Sequence, residues 1–360
     1  MKILFVLHYP PPVHGAAAVG LQIKESKLIN SAFNCTYINL GTSLTIDEIG
    51  GKSWSKLFRY LHILGKVMWN IITDRPDLCY LTISSKGAPF YKDAIIVWMV
   101  KLLRVKLVYH FHNKGVSLNH DRFMDNLLYK FVFNNTKVIL LSKFLYSDIR
   151  KYVDEDNVYY CPNGIEKSNH ELKSNKKNNI PELLFLSNLL VFKGVYVMLD
   201  SFVLLRKRMV NFHCTMVGGI GDITEKDLLN KLENLGLKDH VSYVGKKYGI
   251  EKDKEFAKSS IFIHPTLDDC FPLVLLEAMQ YSLPIVSTFV GGIPEIVEDG
   301  VNGYLVAMND SVALAEKLEM LIQNPHLCVK MGNVGNEKLN SRFVLEIFEQ
   351  RLKEILADIA

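Results

Sequence analysis

The sequence has no long apolar run. Its longest purely apolar stretch extends from Ala94 to Val100 and ends at Lys101. That is far short of the roughly 20 residues that a membrane-spanning helix needs. The N-terminal MKILFVLHYPPP also lacks the apolar length and the small-residue cleavage site of a secretory signal, because His8 and Tyr9 interrupt it. The sequence therefore predicts no membrane span, and it favours a buried first strand over a signal peptide.

Cysteine pairing patterns are missing as well. The six cysteines are spread along the chain without a Cys-x-x-Cys pair. We therefore expect neither a zinc site nor a disulfide framework, but small buried thiols in a reducing cytoplasm. Asp268 and Asp269 are adjacent instead of alternating, so they are only a weak sign of a bound divalent ion. No metal site is predicted.

Length and charge indicate two different halves. A chain of 360 residues is too long for one ordinary hydrophobic core and suits two domains. The net charge of +4 conceals an asymmetry: residues 1–164 contain 20 Lys and Arg against 12 Asp and Glu, and residues 165–360 contain 22 against 26. The basic first half favours an anionic partner, such as a lipid surface or a phosphorylated acceptor. Random scatter of surface charge is the alternative.

Short apolar runs alternate with longer amphipathic segments, a rhythm typical of βα units and parallel sheets. The expected fold class is α/β, with two Rossmann-like parallel-sheet domains. Strands are predicted at Ile3–His8, Cys35–Leu40, Leu78–Ile83, Lys106–Phe111, Val138–Leu141, Val158–Cys161, Glu182–Ser187, Phe212–Val217, Val241–Val244, Ile261–His264, Pro284–Ser287 and Tyr304–Val306. Helices are predicted near Ala16–Leu28, Trp54–Ile72, Pro89–Leu103, Phe123–Phe133, Lys143–Tyr152 and Arg342–Ile359.

A polar stretch separates the two halves. Residues Glu166–Asn179 have no hydrophobic period and predict a linker. We expect a first domain at 1–165, a linker at 166–180 and a second domain at 181–340. The remaining segment, 341–360, is expected to pack back toward the first domain. Ligands of open parallel sheets bind beyond the carboxyl ends of the strands, so the active site is expected in a cleft between the two domains.

The segment from His264 to Val306 is the most informative part of the sequence. A predicted strand leads through an acidic turn to Pro272, which is favoured in the first turn of a helix. The first amide groups of that helix, from about Leu273 and Val274, have no partner within the helix. Such groups are suited to holding a diphosphate.

Two carboxylates border this helix. Glu277 lies about a turn and a half beyond the proline, among apolar residues, where it is suited to accepting the two hydroxyls of a ribose. Asp269 lies just before the helix and is placed to contact sugar hydroxyls. The alternative is that Asp268 or Asp269 merely caps the helix and that Glu277 is a solvated helix residue.

These residues resemble the retaining GT-B glycosyltransferases of family 4, also called group 1 glycosyl transferases. That family carries a Glu–(seven residues)–Glu motif, then LEAM-like and GGxxE…GxxG segments. The matching residues here are Asp269-CFPLVLL-Glu277, then Glu277-Ala278-Met279, Gly291-Gly292-Ile293-Pro294-Glu295 and Gly300–Gly303. The resemblance implies that the second carboxylate binds the nucleotide ribose and that the first contacts the transferred sugar. Asp269 is one methylene shorter than the family's glutamate.

A second motif supports the resemblance. Residues Leu184–Gly194 predict a strand that runs into the start of a helix. The family places an Arg and a Lys here, five residues apart, and both neutralise the donor diphosphate. Lys193 matches the Lys, but Asn188 stands in place of the Arg, and an amide donates hydrogen bonds without bringing charge. In isolation, Lys193 would be interpreted as a solvated surface residue.

The first half matches the family more weakly. Residues Pro10–Gly20 form a turn with small residues but no Gly-x-Gly-x-x-Gly fingerprint, and Gly15 occupies the place of the family's Gly-rich first loop. The family also has a histidine that hydrogen-bonds the donor sugar, and His112 matches it better than His110. A structural histidine is the alternative. Pro162–Ile165 resembles the family's PNG turn, interpreted as a tight turn at the hinge.

The resemblance implies a function. The chain would move a hexose-type sugar from UDP-sugar or GDP-sugar to a glycan or lipid-linked acceptor in polysaccharide biosynthesis, with retention of configuration. It would need no obligatory metal or other cofactor and would bind no nucleic acid. The implied catalytic residues are Asp269, Lys193 and His112. The implied donor-binding residues are Glu277, Asn188, Gly15, Phe271, Leu273 and Val274.

Two other functions stay open from the sequence. UDP-sugar 2-epimerases use the same two-domain fold but would convert a UDP-sugar without any acceptor. A non-catalytic nucleotide-sugar-binding protein is the second alternative, motivated by Asp269 and Asn188, which depart from the family pattern. The Glu-Ala-Met and GGxxE segments favour transfer.

The segment Lys52–Thr73 predicts contact with a membrane. Basic residues share one helical face, namely Lys52, Lys56, Arg59, His62 and Lys66. Apolar residues share another, namely Trp54, Leu57, Leu61, Leu64 and Met68. Basic amphipathic helices with aromatic residues lie on anionic lipid. We expect a cytoplasmic protein that is peripheral at the inner face of the membrane; a core helix with a solvated basic face is the alternative.

Overall fold

The computed structural model describes residues 1–11, 15–42, 54–167 and 180–359. The chain divides into two units, of which the first comprises Met1–Asn163 together with Glu346–Ala360 and the second comprises Gly164–Leu345. The sequence placed this division at residue 165 and assigned the chain end from 341 to a separate segment. Most of the predicted linker, 168–179, lies outside the described residues.

The first unit contains a six-stranded, fully parallel sheet in the order β2-β1-β3-β4-β5-β6. All six strands predicted for this half are present. Its elements are β1 (Lys2–Leu7), α1 (Gly15–Glu25), α2 (Lys27–Ala32), β2 (Asn34–Asn39), α3 (Trp54–Asp74), β3 (Leu78–Thr82), α4 (Gly87–Leu102), β4 (Lys106–Phe111), α5 (Phe123–Phe133), β5 (Lys137–Leu140) and β6 (Val158–Tyr160).

The second unit repeats this architecture with the order β12-β11-β10-β7-β8-β9. Its elements are β7 (Glu182–Leu186), a short 3-10 helix (Val191–Lys193), α6 (Val195–Lys207), β8 (His213–Val217), α7 (Glu225–Leu235), β9 (Val241–Tyr243), α8 (Gly249–Lys258), β10 (Ile261–His264), α9 (Leu273–Gln280), β11 (Ile285–Thr288), α10 (Ile293–Ile296), β12 (Gly303–Val306), α11 (Ser311–Ile322) and α12 (Pro325–Arg342). The last helix, α13 (Leu345–Ile359), belongs almost entirely to the first unit.

The central strands are buried on both faces, as expected when helices cover both sides of a parallel sheet. In β3 every residue is buried, and in β1 every residue after Lys2 is. From β2 to β5 the chain advances across the sheet in one direction. Since such crossovers are right-handed, α3, α4 and α5 cover the same face of the sheet.

Three predicted helices differ from the observed ones. The predicted helix Ala16–Leu28 is divided into α1 and α2, because the Ser26 hydroxyl accepts a hydrogen bond from the amide of Ile29 and starts a new helix there. The predicted helix Lys143–Tyr152 is a 3-10 helix, Lys143–Asp148. The C-terminal helix begins at Leu345 instead of Arg342, because α12 occupies the preceding residues.

The predictions on the cysteines and on membrane-spanning helices can be compared with the described residues. All six cysteines are free thiols; Cys35 is partly exposed and the other five are buried. None of the described helices combines the length and the apolar character needed to cross a membrane.

Candidate active site

The predicted site residues of the second unit lie where its strand order reverses. From β7 the chain continues to β8 and β9 on one side, whereas β10 pairs with β7 on the other side. Ligands of such sheets bind beyond the carboxyl ends of the strands at this reversal. Lys193 follows β7 and Asp269 follows β10, so the fold places both residues at the expected position.

Lys193, Asp269 and His264 form one hydrogen-bonded cluster. The Lys193 Nζ lies 2.5 Å from Asp269 Oδ2. The His264 Nε2 lies 3.1 Å from the same oxygen. The other oxygen, Oδ1, accepts a hydrogen bond of 3.1 Å from the amide of Cys270. Both carboxylate oxygens are therefore held by the chain, which orients this side chain within the site.

The cluster contains an ionised aspartate and a neutral histidine. Burial alone would raise the pKa of Asp269, but the hydrogen bond from His264 and the charge of Lys193 outweigh burial and hold that pKa well below its usual range. Burial lowers the pKa of His264, so its ring is neutral and carries one proton. Because an ionised carboxylate can only accept, that proton lies on the Nε2 that faces Asp269. Among the described residues, the buried His264 Nδ1 has no hydrogen-bond partner.

Two glycines make this close arrangement sterically feasible. Gly194 has φ +77°, and a Cβ there would lie 1.9 Å from the carbonyl oxygen of Pro265. Gly291 has φ +53°, and a Cβ there would lie 2.3 Å from the carbonyl oxygen of Asp269. Any other residue would push the neighbouring loops apart. Both positions therefore require glycine, because the backbone of a neighbouring loop lies directly against each of them.

Helix α9 begins at Leu273, where the first helical amides were expected. Pro272 is its N-cap residue and offers no side-chain hydrogen bond, so Leu273 and Val274 are its first two residues. Because Asp269 bonds the cluster and the adjacent amide, it does not cap the helix. The Phe271 ring is buried and packs against Phe343, with 5.9 Å between the ring centroids. Only the backbone of Phe271 is therefore placed to contact a sugar donor.

Glu277 is not a solvated helix residue. Its Oε1 accepts a hydrogen bond of 2.9 Å from the Nζ of Lys252 on α8, and both side chains are about three quarters buried. Lys252 has no distinguishing signal in the sequence, because it is one of several lysines in a polar segment. The spacing of charges along α8 does not identify the one that turns toward α9.

Asn188 lies in a second polar group beyond β7 and β8. Its Oδ1 accepts a hydrogen bond of 3.0 Å from the amide of Gly219, which leaves its NH2 group as the donor for a phosphate. A Cβ on Gly219 would lie 3.0 Å from Asn188 Oδ1 and 3.1 Å from the Nζ of Lys246. Lys246, also missed in the sequence, therefore brings a positive charge next to the position where the family's Arg is replaced.

The first unit places its two candidate histidines differently. His110 is fully buried, and its Nδ1 is hydrogen-bonded to the hydroxyl of Tyr80. His112 follows the end of β4 and is only partly buried, with its ring centroid 4.2 Å from that of His110. Because both ring nitrogens of His112 are shielded from solvent, its contact with the donor sugar stays a prediction.

The other candidates of the first unit are less constrained. Gly15 is the first residue of α1 and is exposed, and no described atom lies within 4 Å of a Cβ built there. Residues 12–14 of the predicted loop lie outside the described residues. Pro162–Ile165 spans the division between the two units, and the Ile165 amide donates a 3.0 Å hydrogen bond to Phe343.

A basic pocket of about 230 Å³ lies in the first unit beside the carboxyl ends of β1 and β2. Three of the basic residues predicted to share a face of α3 line it, namely Arg59, His62 and Lys66; Tyr9, Tyr37 and Asn39 are among its other lining residues. Lys52, predicted on the same face, lies outside the described residues. The pocket is suited to an anionic group.

Residues 166–338 match the family model described as "Glycosyl transferases group 1". These residues belong to the group 1 glycosyl transferases. The matched range contains Lys193, Asp269 and Glu277, and the resemblance to the group 1 glycosyl transferases is confirmed for this range; retention of configuration and the roles of these residues stay predictions. The first unit lies outside this range, in keeping with its weaker motifs.

Curated relatives match over part of their length. An uncharacterised glycosyltransferase of Methanocaldococcus jannaschii is 28% identical over 207 residues, which cover 57% of this chain and 54% of that protein. The amylovoran biosynthesis glycosyltransferase AmsK of Erwinia amylovora is 28% identical over 270 residues, covering 72% of this chain and 66% of that protein. The match therefore spans between half and two thirds of these relatives.

Solved structures share the fold over the whole chain. The crystal structure of Anabaena Alr3699/HepE in complex with UDP-glucose superposes with a TM-score of 0.75 at 19% identity, covering 99% of this chain and all of that chain. This likeness, together with the two parallel sheets, confirms the predicted GT-B fold.

Proposed function

We propose that this chain is a retaining glycosyltransferase that moves a hexose-type sugar from a nucleoside-diphosphate donor to a glycan or lipid-linked acceptor in polysaccharide biosynthesis. The proposal is carried by the Lys193–Asp269–His264 cluster at the strand-order reversal of the group 1 glycosyl transferase unit. The amylovoran-biosynthesis relative supports a polysaccharide product, and the UDP-glucose complex of a protein with this fold supports a UDP-sugar donor.

Donor activation requires stabilisation of the charge that gathers on the departing diphosphate. Lys193 supplies one ammonium group there, and the first amides of α9, at Leu273 and Val274, supply hydrogen-bond donors. Lys246 adds a second positive charge beside Asn188 and offsets the missing arginine. Because protein groups supply the positive charge, the proposed reaction needs no obligatory metal.

Two carboxylates would bind the sugar and the nucleoside. Glu277, held by Lys252 through one oxygen, keeps its second oxygen for the ribose hydroxyls. Asp269, held in a fixed orientation by three hydrogen bonds, accepts a further hydrogen bond from a hydroxyl of the transferred sugar. His112 is proposed to donate a hydrogen bond to the same sugar. Retention follows if the acceptor attacks from the side of the leaving diphosphate, whose oxygen then takes the acceptor's proton.

The acceptor would bind the first unit. The pocket lined by Arg59, His62 and Lys66 favours an anionic group, such as the phosphate of a lipid-linked acceptor. An acceptor of this kind is presented at a membrane surface, so the proposal includes a cytoplasmic enzyme in peripheral contact with an anionic membrane.

The first test identifies the donor and then the reaction. A panel of UDP-sugars and GDP-sugars is screened for an increase in Tm, since a ligand that binds only the folded protein stabilises it. The stabilising donor is then incubated with candidate acceptors, with and without EDTA. Release of nucleotide that depends on the acceptor and resists EDTA supports the proposal, and proton NMR of the product shows whether the anomeric configuration is retained.

Other outcomes would replace this proposal. Conversion of the UDP-sugar to a free epimer without an acceptor would indicate a 2-epimerase. Binding without nucleotide release for any acceptor would indicate a non-catalytic nucleotide-sugar-binding protein. Inversion of configuration at the anomeric carbon would refute the retaining mechanism.

A further inference from the structure

Three neighbouring helices of the first unit each carry a second apolar stripe that faces away from the core. Helices α3, α4 and α5 cover the same face of the sheet and contact one another in sequence order. We call their exposed large apolar residues the outer apolar face. It consists of Trp54, Leu57, Phe58, Leu61, Trp69 and Ile72 on α3, Tyr91, Ile95, Trp98 and Leu102 on α4, and Phe123, Met124, Leu127 and Phe131 on α5.

The outer apolar face has helical spacing. On α4 its residues recur every three or four positions, as Tyr91, Ile95, Trp98 and Leu102. The inward stripe of each helix is separate; on α3 it consists of Tyr60, Ile63, Val67 and Ile71. A helix that already buries one stripe in the core and has a second one outside is apolar on two sides, so its outer side is suited to another apolar surface.

Among the described helices, this pattern is confined to these three. In the described part of the second unit, no helix has more than two exposed large apolar residues, and α11 reaches that number with Val312 and Met320. By comparison, α3 has six, including Trp69 at 69% exposure, and α4 and α5 have four each. Contiguous apolar surface of this kind marks a site of interaction, whereas scattered single residues do not.

The charges on these helices are almost all positive. Their basic residues are Lys56, Arg59, Lys66, Lys92, Lys101 and Lys130. Of their three acidic residues, Asp93 and Asp125 are buried, and only Asp74 is exposed. A second copy of this chain would bring like charges against each other, whereas an anionic lipid surface complements them.

We propose that the outer apolar face docks on an anionic phospholipid bilayer. Its aromatic and aliphatic side chains enter the boundary between headgroups and acyl chains, and the lysines and arginines contact lipid phosphates. Trp69 and Trp98 combine an apolar ring with an N–H group, which suits that boundary. Helices α4 and α5 are held against each other, because the Lys101 ammonium donates hydrogen bonds to the carbonyl oxygens of Phe131 and Asn134.

The docking surface is larger than the one helix that the sequence indicated. The predicted apolar face of α3 is only partly outward, since Leu64 and Met68 are partly buried while Phe58 and Trp69 extend the exposed stripe. Helices α4 and α5 were not recognised, because a helix that is apolar on two sides shows little periodicity in its sequence. The inference rests on the membrane contact included in the proposed function and assigns a surface to it. Vesicle binding and sugar transfer are measured separately, so the failure of one is distinguishable from the failure of the other.

The test measures co-sedimentation of the full chain with vesicles. The vesicles contain phosphatidylcholine alone or phosphatidylcholine with phosphatidylglycerol. The triple variant Trp69→Gln, Trp98→Gln, Leu127→Gln removes one apolar anchor from each helix. The matched control, Met209→Gln, Met308→Gln, Val329→Gln, removes three exposed apolar residues from the second unit.

The expected result is strong binding to the anionic vesicles, lowered about tenfold or more by the outer-face variant and unchanged by the control. If the outer-face variant fails to fold, Lys56→Glu with Lys130→Glu tests the same helices and should lower anionic binding by a similar factor. Equal binding of wild type and both outer-face variants would overturn the proposal. So would a concentration-dependent dimer in sedimentation velocity that the triple variant abolishes.

Discussion

The two units have the same sheet architecture but expose different chemistry. Each has six parallel strands with one reversal of strand order. The second unit gathers a lysine, a histidine and an aspartate at its reversal and has few exposed apolar residues on its helices. The first unit has a basic pocket and three helices with outward apolar stripes. The fold itself therefore sets where ligands bind, whereas side chains decide which ligands these are.

The comparison also explains why one unit is recognisable from its sequence. In the second unit, the residues of the candidate site stand in short segments with required glycines, such as Gly194 beside Lys193 and Gly291 beside the loop of Asp269. In the first unit, the pocket and the outer apolar face draw on residues from several helices and strands. A site of that kind leaves no compact motif.

The largest effect is expected from Lys193→Ala. Loss of its ammonium group should lower sugar transfer at least tenfold, about 1.4 kcal/mol of transition-state stabilisation, because the leaving diphosphate loses a counter-charge. Initial rates of nucleotide release measure this. The exposed Lys207→Ala on α6 is the control and should keep full activity. Wild-type activity in Lys193→Ala would remove this residue from the donor site.

The pH dependence of stability tests the buried histidines. The pKa of His264 is lowered by burial from its ordinary 6.5, so the unfolded chain binds a proton that the folded protein does not. The contribution of the neutral His264 to the free energy of unfolding is then fully present above pH 6.5. It is lost as the pH falls below that value, by up to about 1.4 kcal/mol per pH unit. The Tm of His264→Gln should fall less than that of wild type between pH 7 and pH 5.

Other titrating groups do not disturb this comparison. Burial raises the pKa of Asp93 to about 6, which destabilises the folded protein as pH rises, and His110 behaves like His264. Both are present in wild type and variant, so their contributions cancel in the difference. Identical Tm curves for the two proteins would contradict a neutral His264 in the folded state.

Variants of Glu277 and Lys252 should distinguish a residue that binds the ribose from one that only positions the binding residue. We expect Glu277→Ala to lower transfer about tenfold, and Lys252→Met to raise the donor KM about fivefold, roughly 1 kcal/mol, with kcat nearly unchanged. The reason is that Lys252 only holds the carboxylate that binds the ribose. Steady-state kinetics with varied donor measure both. The exposed Lys254→Met on the same helix is the control, and an unaltered donor KM in Lys252→Met would refute the positioning role.

The smallest effect is expected on the acceptor side. Lys66→Ala should raise the KM for an anionic acceptor about threefold, roughly 0.7 kcal/mol, and leave the donor KM unchanged, because an exposed charge contributes little. Kinetics with varied acceptor test this, with the exposed Lys27→Ala on α2 as control. A change in donor KM instead would assign the pocket to the donor and remove the contrast between the units.

Local sequence patterns were sufficient for the fold. All twelve predicted strands are present. The central strands are buried on both faces and therefore appear as short apolar runs, whereas β2, β6 and β9 are partly exposed. Helices were predicted less well: α1 and α2 are separate because Ser26 caps the second, and Lys143–Tyr152 contains only a 3-10 helix. Where helices start and end depends on single capping residues, which periodicity does not show.

For the site, the sequence by itself determined that Lys193, Asp269 and Glu277 belong to a glycosyl transferase pattern. The spacing of Asp269 and Glu277 follows from α9 and the turn before it, and Lys193 stands in a separate segment that follows β7. Only the tertiary structure decided that His264 joins Asp269, that Lys252 holds Glu277 and that Lys246 lies beside Asn188. Lys252 and Lys246 come from elements that precede or follow those of their partners, whereas His264 ends β10 only five residues before Asp269 and joins it because the loop after the strand turns back. The sheet brings them together, and a hydrogen bond needs contact in space, whatever the separation in sequence.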